Sequence, residues 1–130
     1  MAPGGPGDQL KDKLTIAENV LASLTVDLDA GLRFSDGLLA LTDRRLLARA
    51  GTADGGLWQE WSLSRPGLSL IATDHAGVGT FDLVDASGRL ARWRYTLAQQ
   101  ADALRLQKEL ERQQEEEDGA VALETHGNSV

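Results

Sequence analysis

Apolar and polar positions alternate with a period of two through most of the first 96 residues, then switch to a period near 3.6. The centre of the pattern is Leu38-Leu39-Ala40-Leu41-Thr42-Asp43-Arg44-Arg45-Leu46-Leu47-Ala48, two apolar runs around a polar break. It predicts a tight hairpin, strands roughly over 38–42 and 45–50, with each arm buried on at least one face. Upstream, Val20, Ala22, Leu24, Val26 and Leu28 share one face, against Leu21, Ser23, Thr25 and Asp27 on the other, which is a half-buried strand. The stretch 30–37 reads as a loop ending in the turn signal Asp36-Gly37. Downstream, strands are predicted over 57–63, with Leu57, Trp61 and Leu63 inward, over 68–73, and over 78–84, with Phe81 and Leu83 inward. A last strand over 89–96 has Trp93 and Tyr95 on one face and Arg92 and Arg94 on the other. Gly51 to Gly56, Pro66-Gly67, Asp74 to Gly77 and Asp85 to Gly88 separate them as turns.

From Thr96, a plausible N-cap, good helix formers continue without Gly or Pro to about Gln114. The helix carries two apolar stripes, Leu97, Ala101 and Leu104 on one side and Ala103, Leu106 and Leu110 on nearly the opposite side. One stripe suffices to cap a β core, so the second is expected to be spare and to dock a partner. Glu115-Glu116-Glu117-Asp118-Gly119 should end the helix, because acids sit badly at the negative end of its dipole. The expected organisation is a flexible leader over 1–17, with a weak helical turn carrying Leu10 and Leu14, a domain over 18–114, and an acidic, polar tail or linker over 115–130. The fold class expected is mainly β with one C-terminal helix, a seven-stranded antiparallel barrel or sandwich capped by that helix.

Composition narrows the function classes. The chain has 130 residues, no cysteine and a net charge of −7. Disulfides and thiolate metal sites are thereby excluded. Residues 98–130 hold eight acidic and three basic residues, so the rest is close to neutral and lacks the basic footprint of a nucleic-acid binder. No signal-peptide pattern and no apolar run of about 20 residues occurs, so neither secretion nor membrane insertion is expected of this chain. His75 falls in a turn and His126 in the tail, each without a second ligand nearby, and both read as solvated side chains. Gly77-Val78-Gly79 does not open a helix and so fails as a dinucleotide fingerprint. No Gly-x-Ser-x-Gly elbow is present. Neither enzyme activity nor a cofactor is expected. Arg92 and Arg94 are read as surface residues, Arg92 within reach of Asp82 across a hairpin. Trp58, placed by alternation on the face opposite Trp61, is a candidate contact residue.

Val26-Asp27-Leu28-Asp29 with Gly31 and Phe34, then Leu41-Thr42-Asp43-Arg44-Arg45-Leu46-Leu47, and finally Trp93-Arg94-Tyr95 resemble bacterial pleckstrin-homology-like domains over about residues 18–112. More specifically they are similar to the small N-terminal domain of some bacterial ABC exporters, although the exporters' Gly-rich phosphate loop and membrane helices are missing. The resemblance implies a non-catalytic interaction or regulatory module, cytoplasmic or at the inner face of the cell membrane, tethered to a membrane transporter or free-standing. Docking would use Trp58 and the helix face Ala103, Leu106 and Leu110, towards a protein partner or a second copy. The alternative that the resemblance implies is an anionic lipid or small anionic ligand bound by Arg44 and Arg45.

Overall fold

A computed structural model describes residues 13–129 of the chain, with side chains as far as Glu115, Asp54 excepted. The leader over 1–12, with Leu10, and the side chains of the acidic tail, with His126, lie outside the described residues. Seven strands follow in order: β1 (Val20–Leu28), β2 (Phe34–Thr42), β3 (Arg45–Arg49), β4 (Trp58–Ser62), β5 (Ser69–His75), β6 (Val78–Asp85) and β7 (Gly88–Thr96). A 3-10 turn (Leu97–Gln99) leads into the helix α1 (Gln100–Ser129). The strands form one antiparallel sheet in the order β4-β3-β2-β1-β7-β6-β5. The β1–β7 ladder has a single bridge, Leu28↔Arg94, so the sheet has two halves meeting at one seam. Leu24, Leu39, Leu41 and Leu46 of the first half share a single core cluster with Leu70, Phe81, Leu83 and Tyr95 of the second.

The β2–β3 hairpin is buried on both faces, which is why its sequence runs apolar without a break. Leu39, Leu41, Leu46 and Ala48 face the main core, while Leu38, Ala40 and Leu47 form a second cluster on the other side. Leu14 and Trp58 pack on that second cluster. Trp58 does lie opposite Trp61, as alternation predicts, but it is half-buried on the cluster rather than free in solvent. Part of the expected leader is therefore structural. Thr15 and Glu18 fold back on the hairpin, and the Thr42 hydroxyl donates to Glu18 Oε2 at 2.6 Å while accepting from the Arg44 and Arg45 amides.

Several boundaries differ from the sequence expectations. β2 starts at Phe34, not 38, and takes in Asp36-Gly37. A Cβ on Gly37 would stand 3.2 Å from that of Val26 and 3.3 Å from the Arg49 carbonyl, so the glycine serves close strand approach rather than a turn. Leu57 precedes β4 and is exposed, as is Val20, where β1 shifts register against β2. Thr96 does not cap the helix with its side chain. Its amide and hydroxyl both donate to the Asp27 carboxylate. The helical backbone continues through Ser129, past the acidic run expected to stop it. The β5–β6 hairpin turns at Ala76 and Gly77, both with positive φ, and Gly79 leaves room for the Tyr95 ring, which a Cβ there would meet at 2.1 Å.

The largest correction concerns the two helix stripes. Ala103, Leu106 and Leu110 are buried, at 0%, 0% and 1% exposure, and belong to the main core. Leu97 and Leu104 are each 43% exposed, and Ala101 is exposed as well. The expected spare face is thus the capping face, and it is not available for docking. Two physical reasons set this choice. Leu97 lies in the 3-10 turn, off the helical repeat. The face holding Leu106 and Leu110 also carries amide donors, Gln107 Nε2 to the Leu70 carbonyl at 3.0 Å and Gln114 Nε2 to the Leu68 carbonyl at 3.3 Å. These satisfy acceptors at the β5 end of the sheet, which no further strand covers.

Candidate functional site

Arg45 is committed to the fold. Its Nε and Nη2 donate to the two Glu18 carboxylate oxygens at 2.9 and 2.8 Å, Nη2 also reaches the Lys13 carbonyl at 2.9 Å, and Nη1 pairs with Glu60. The Arg45 hydrogen bonds outweigh burial and hold the Glu18 carboxyl down to about 2, from an ordinary 4.5. Arg44 donates from Nη1 to the Thr15 hydroxyl at 3.0 Å. The two arginines singled out in the sequence therefore tie the 13–18 segment to the hairpin, and Arg45 has its strong donor directions filled before any anion arrives. Trp58 is on the same outer face, packed on Leu38, Ala40 and Leu47.

A different set of residues encloses space. Near the seam between the two half-sheets, β1 shifts register between Val26 and Leu28, and residues of the loops after β1 and β3 come together around a space. A cavity of about 280 Å³ results. Val26, Leu28, Ala48 and Trp93 supply apolar wall, Arg92 and Arg94 line it on the cationic side, and Arg49 borders it from β3. Trp93 is held by an edge-on contact with Trp61, ring centroids 5.7 Å apart at 82°.

The three arginines differ in what they have left to offer. Arg92 grips Asp82 with Nε at 2.6 Å and Nη2 at 3.0 Å, the cross-strand pair anticipated from the sequence, and this pair holds the Asp82 carboxyl below its usual range. Arg94 donates from Nη1 to the Ala30 carbonyl at 3.0 Å and has no carboxylate within ion-pair distance among the described residues. Arg49 is 5% exposed; its Nη2 donates to the Asp36 carbonyl at 2.6 Å and its Nη1 to the Ala50 carbonyl at 3.4 Å. Arg49 Nε has no partner, and among the described residues it is the one buried side-chain nitrogen or oxygen so placed. A buried guanidinium donor left unpaired costs free energy of order 1–3 kcal/mol or more, because its hydration is lost and nothing replaces it.

The carboxylates nearby do not fill that vacancy. Asp29 Oδ1 accepts from the Gly31 and Arg33 amides at 2.8 and 2.9 Å. Asp36 accepts from the Thr52 amide at 2.7 Å and hydroxyl at 2.9 Å, and these bonds, with Arg49 nearby, lower its pKa. Asp29 thus pins the loop after β1, and Asp36 of β2 pins the loop after β3. Arg49 carried no signal in the sequence beyond ending an apolar strand, since the cavity takes wall from β1, β2, β3, β4 and β7 at once. His75 sits exposed at the end of β5, away from these groups. Comparison with protein-family models, with curated proteins and with solved structures finds no match for this chain.

Proposed function

We propose that this chain is a non-catalytic binding module of pleckstrin-homology-like type, and that its cavity at the half-sheet seam receives a small anion. The cationic side of the cavity carries the reading: Arg92 and Arg94 both line it, and Arg94 has no carboxylate within ion-pair distance among the described residues. The strand order and the C-terminal helix support the resemblance drawn from the sequence. That resemblance makes a bacterial membrane transporter, reached from the cytoplasmic side, the setting in which the module would act. Anion binding passes from Arg44 and Arg45, which fasten the hairpin, to Arg94.

The test is thermal unfolding at constant ionic strength with sodium phosphate or sodium benzoate. At least one salt should raise the melting temperature of the wild-type chain in a saturable way, as mass action requires of a ligand that binds the folded state. It should leave Arg94→Leu unmoved. Equal shifts in both proteins, or none in the wild type, would overturn the reading.

A second reading, protein docking, is favoured by a separate observation. Phe34 is 87% exposed and Leu57 73% exposed, at the start of β2 and just before β4. Apolar side chains this open suit contact with another protein surface. Phe34→Ser with Leu57→Ser would then weaken partner capture while leaving the melting temperature unchanged; a loss of stability would assign both residues to the fold instead.

A further inference from the structure

We infer that the free edge of β4 pairs with the same edge of a second copy of this chain, the two strands antiparallel about a two-fold axis at Gln59. This goes beyond both readings above and shares only Leu57 with the docking one. The sheet ends in two edges, β4 and β5, and they are finished differently. At β5 the side-chain amides of Gln107 and Gln114 fill the outward carbonyls of Leu70 and Leu68. At β4 the Ala50 amide donates to the Leu57 carbonyl and the Leu63 amide to that of Arg44, so residues 57, 59, 61 and 63 turn their backbone groups towards β3. Trp58 and Glu60 turn theirs away from the sheet, and no described residue bonds them there. An edge strand is ordinarily blunted by Lys, Pro or a bulge. β4, Trp58-Gln59-Glu60-Trp61-Ser62, has none of these, and its one charge, Glu60, is tied to Arg45.

A two-fold contact needs a surface that complements itself, and Leu57-Trp58-Gln59-Glu60-Trp61 does so about its centre. In that register Trp58 of each copy exchanges both backbone hydrogen bonds with Glu60 of the other. Leu57, 73% exposed, comes opposite the half-buried Trp61 of the second copy, in a pair without backbone hydrogen bonds, where side chains approach most closely. The self-pairing thus covers an apolar side chain that the single chain leaves in water. It also manages charge. Glu60 stands opposite a tryptophan, whereas centring the axis on Glu60 would set two carboxylates directly against each other, a destabilising arrangement. The contact is one strand wide and smaller than a standard interface, so the dimer is weak and concentration-dependent.

Sedimentation equilibrium on the full chain tests the pairing, in salt of about 0.15 M to screen the net charge of −7 on each copy. Between roughly 10 µM and 1 mM the mean mass should rise from 14.0 kDa towards twice that value. Leu57→Lys, at an exposed position ahead of the strand, should hold the mass at the monomer value with the circular dichroism unchanged. The register is read with thiols, because the chain has no cysteine. Gln59→Cys places its two sulfurs in the central pair, where Cα atoms lie about 4.5 Å apart and a disulfide fits, so mild oxidation should give a covalent dimer. Glu60→Cys sets them further apart than the roughly 7 Å a disulfide spans, and should stay monomeric under the same oxidation. A wild-type chain that is monomeric throughout would overturn the pairing while leaving the docking reading to its own capture test. A dimer that Leu57→Lys leaves intact would overturn it too, and Glu60→Cys cross-linking ahead of Gln59→Cys would overturn the axis at Gln59. The wild-type masses decide the pairing even if a variant fails to fold.

Discussion

Two arginines four residues apart in one strand have opposite fates, and the difference is who meets them. Arg45 is closed by Glu18 and Glu60, whereas Arg49 is buried with a donor left over. The Glu18 partnership sets a pH dependence. Its carboxyl titrates near 2 in the fold against an ordinary 4.5, so folding favours the ionised form. Its contribution is complete above about pH 4.5 and is lost as pH falls from there towards 2. Glu18→Gln should therefore lower stability at pH 7 by roughly 2–3 kcal/mol and converge with wild type near pH 2, as denaturant melts across that range would show. An unchanged pH profile would mean the pair contributes nothing. Gly79 is similarly specific: a Cβ there meets the Tyr95 ring at 2.1 Å, so Gly79→Ala should cost about 2 kcal/mol by overpacking, measured by urea unfolding. A glycine in a strand announces some close approach in the sequence, but only the register Gly79↔Tyr95 names the ring responsible.

Strands and helix are more legible than individual side chains because period survives local error. β1, β6 and β7 fall close to their predicted spans, with Phe81, Leu83 and Tyr95 inward as the alternation requires. The Asp36-Gly37 turn signal was overridden because strand approach at Val26 also calls for glycine. The choice between the helix stripes could not be read, since each offers three apolar residues and the deciding partner, the end strand β5, is remote in sequence. Gln107 and Gln114, polar residues next to the buried stripe, were the available clue. Leu106→Ala should cost about 3 kcal/mol, and Leu104→Ala less than about 1 kcal/mol, in parallel chemical melts. The reverse order would restore the stripe assignment drawn from periodicity.

At the scale of the molecule, the seam between the half-sheets is where the fold leaves a cavity. The single bridge Leu28↔Arg94 joins four strands to three, and the cavity opens beside it. Topology of this kind follows from the count and order of strands, which the chain displays openly. The cavity does not, because its wall residues are drawn from five strands and none stands out alone. None of the described helices is long and apolar enough to cross a membrane. The central claim concerns the cationic side of the cavity, and the side-chain ¹⁵Nε–¹H resonances of the arginines report on it directly. On adding phosphate or benzoate, the Arg94 resonance, assigned by its loss in Arg94→Lys, should move and saturate. Those of Arg45 and Arg92, already held by Glu18 and Asp82, should stay in place. A stationary Arg94 signal, or all three drifting together with salt, would contradict the account.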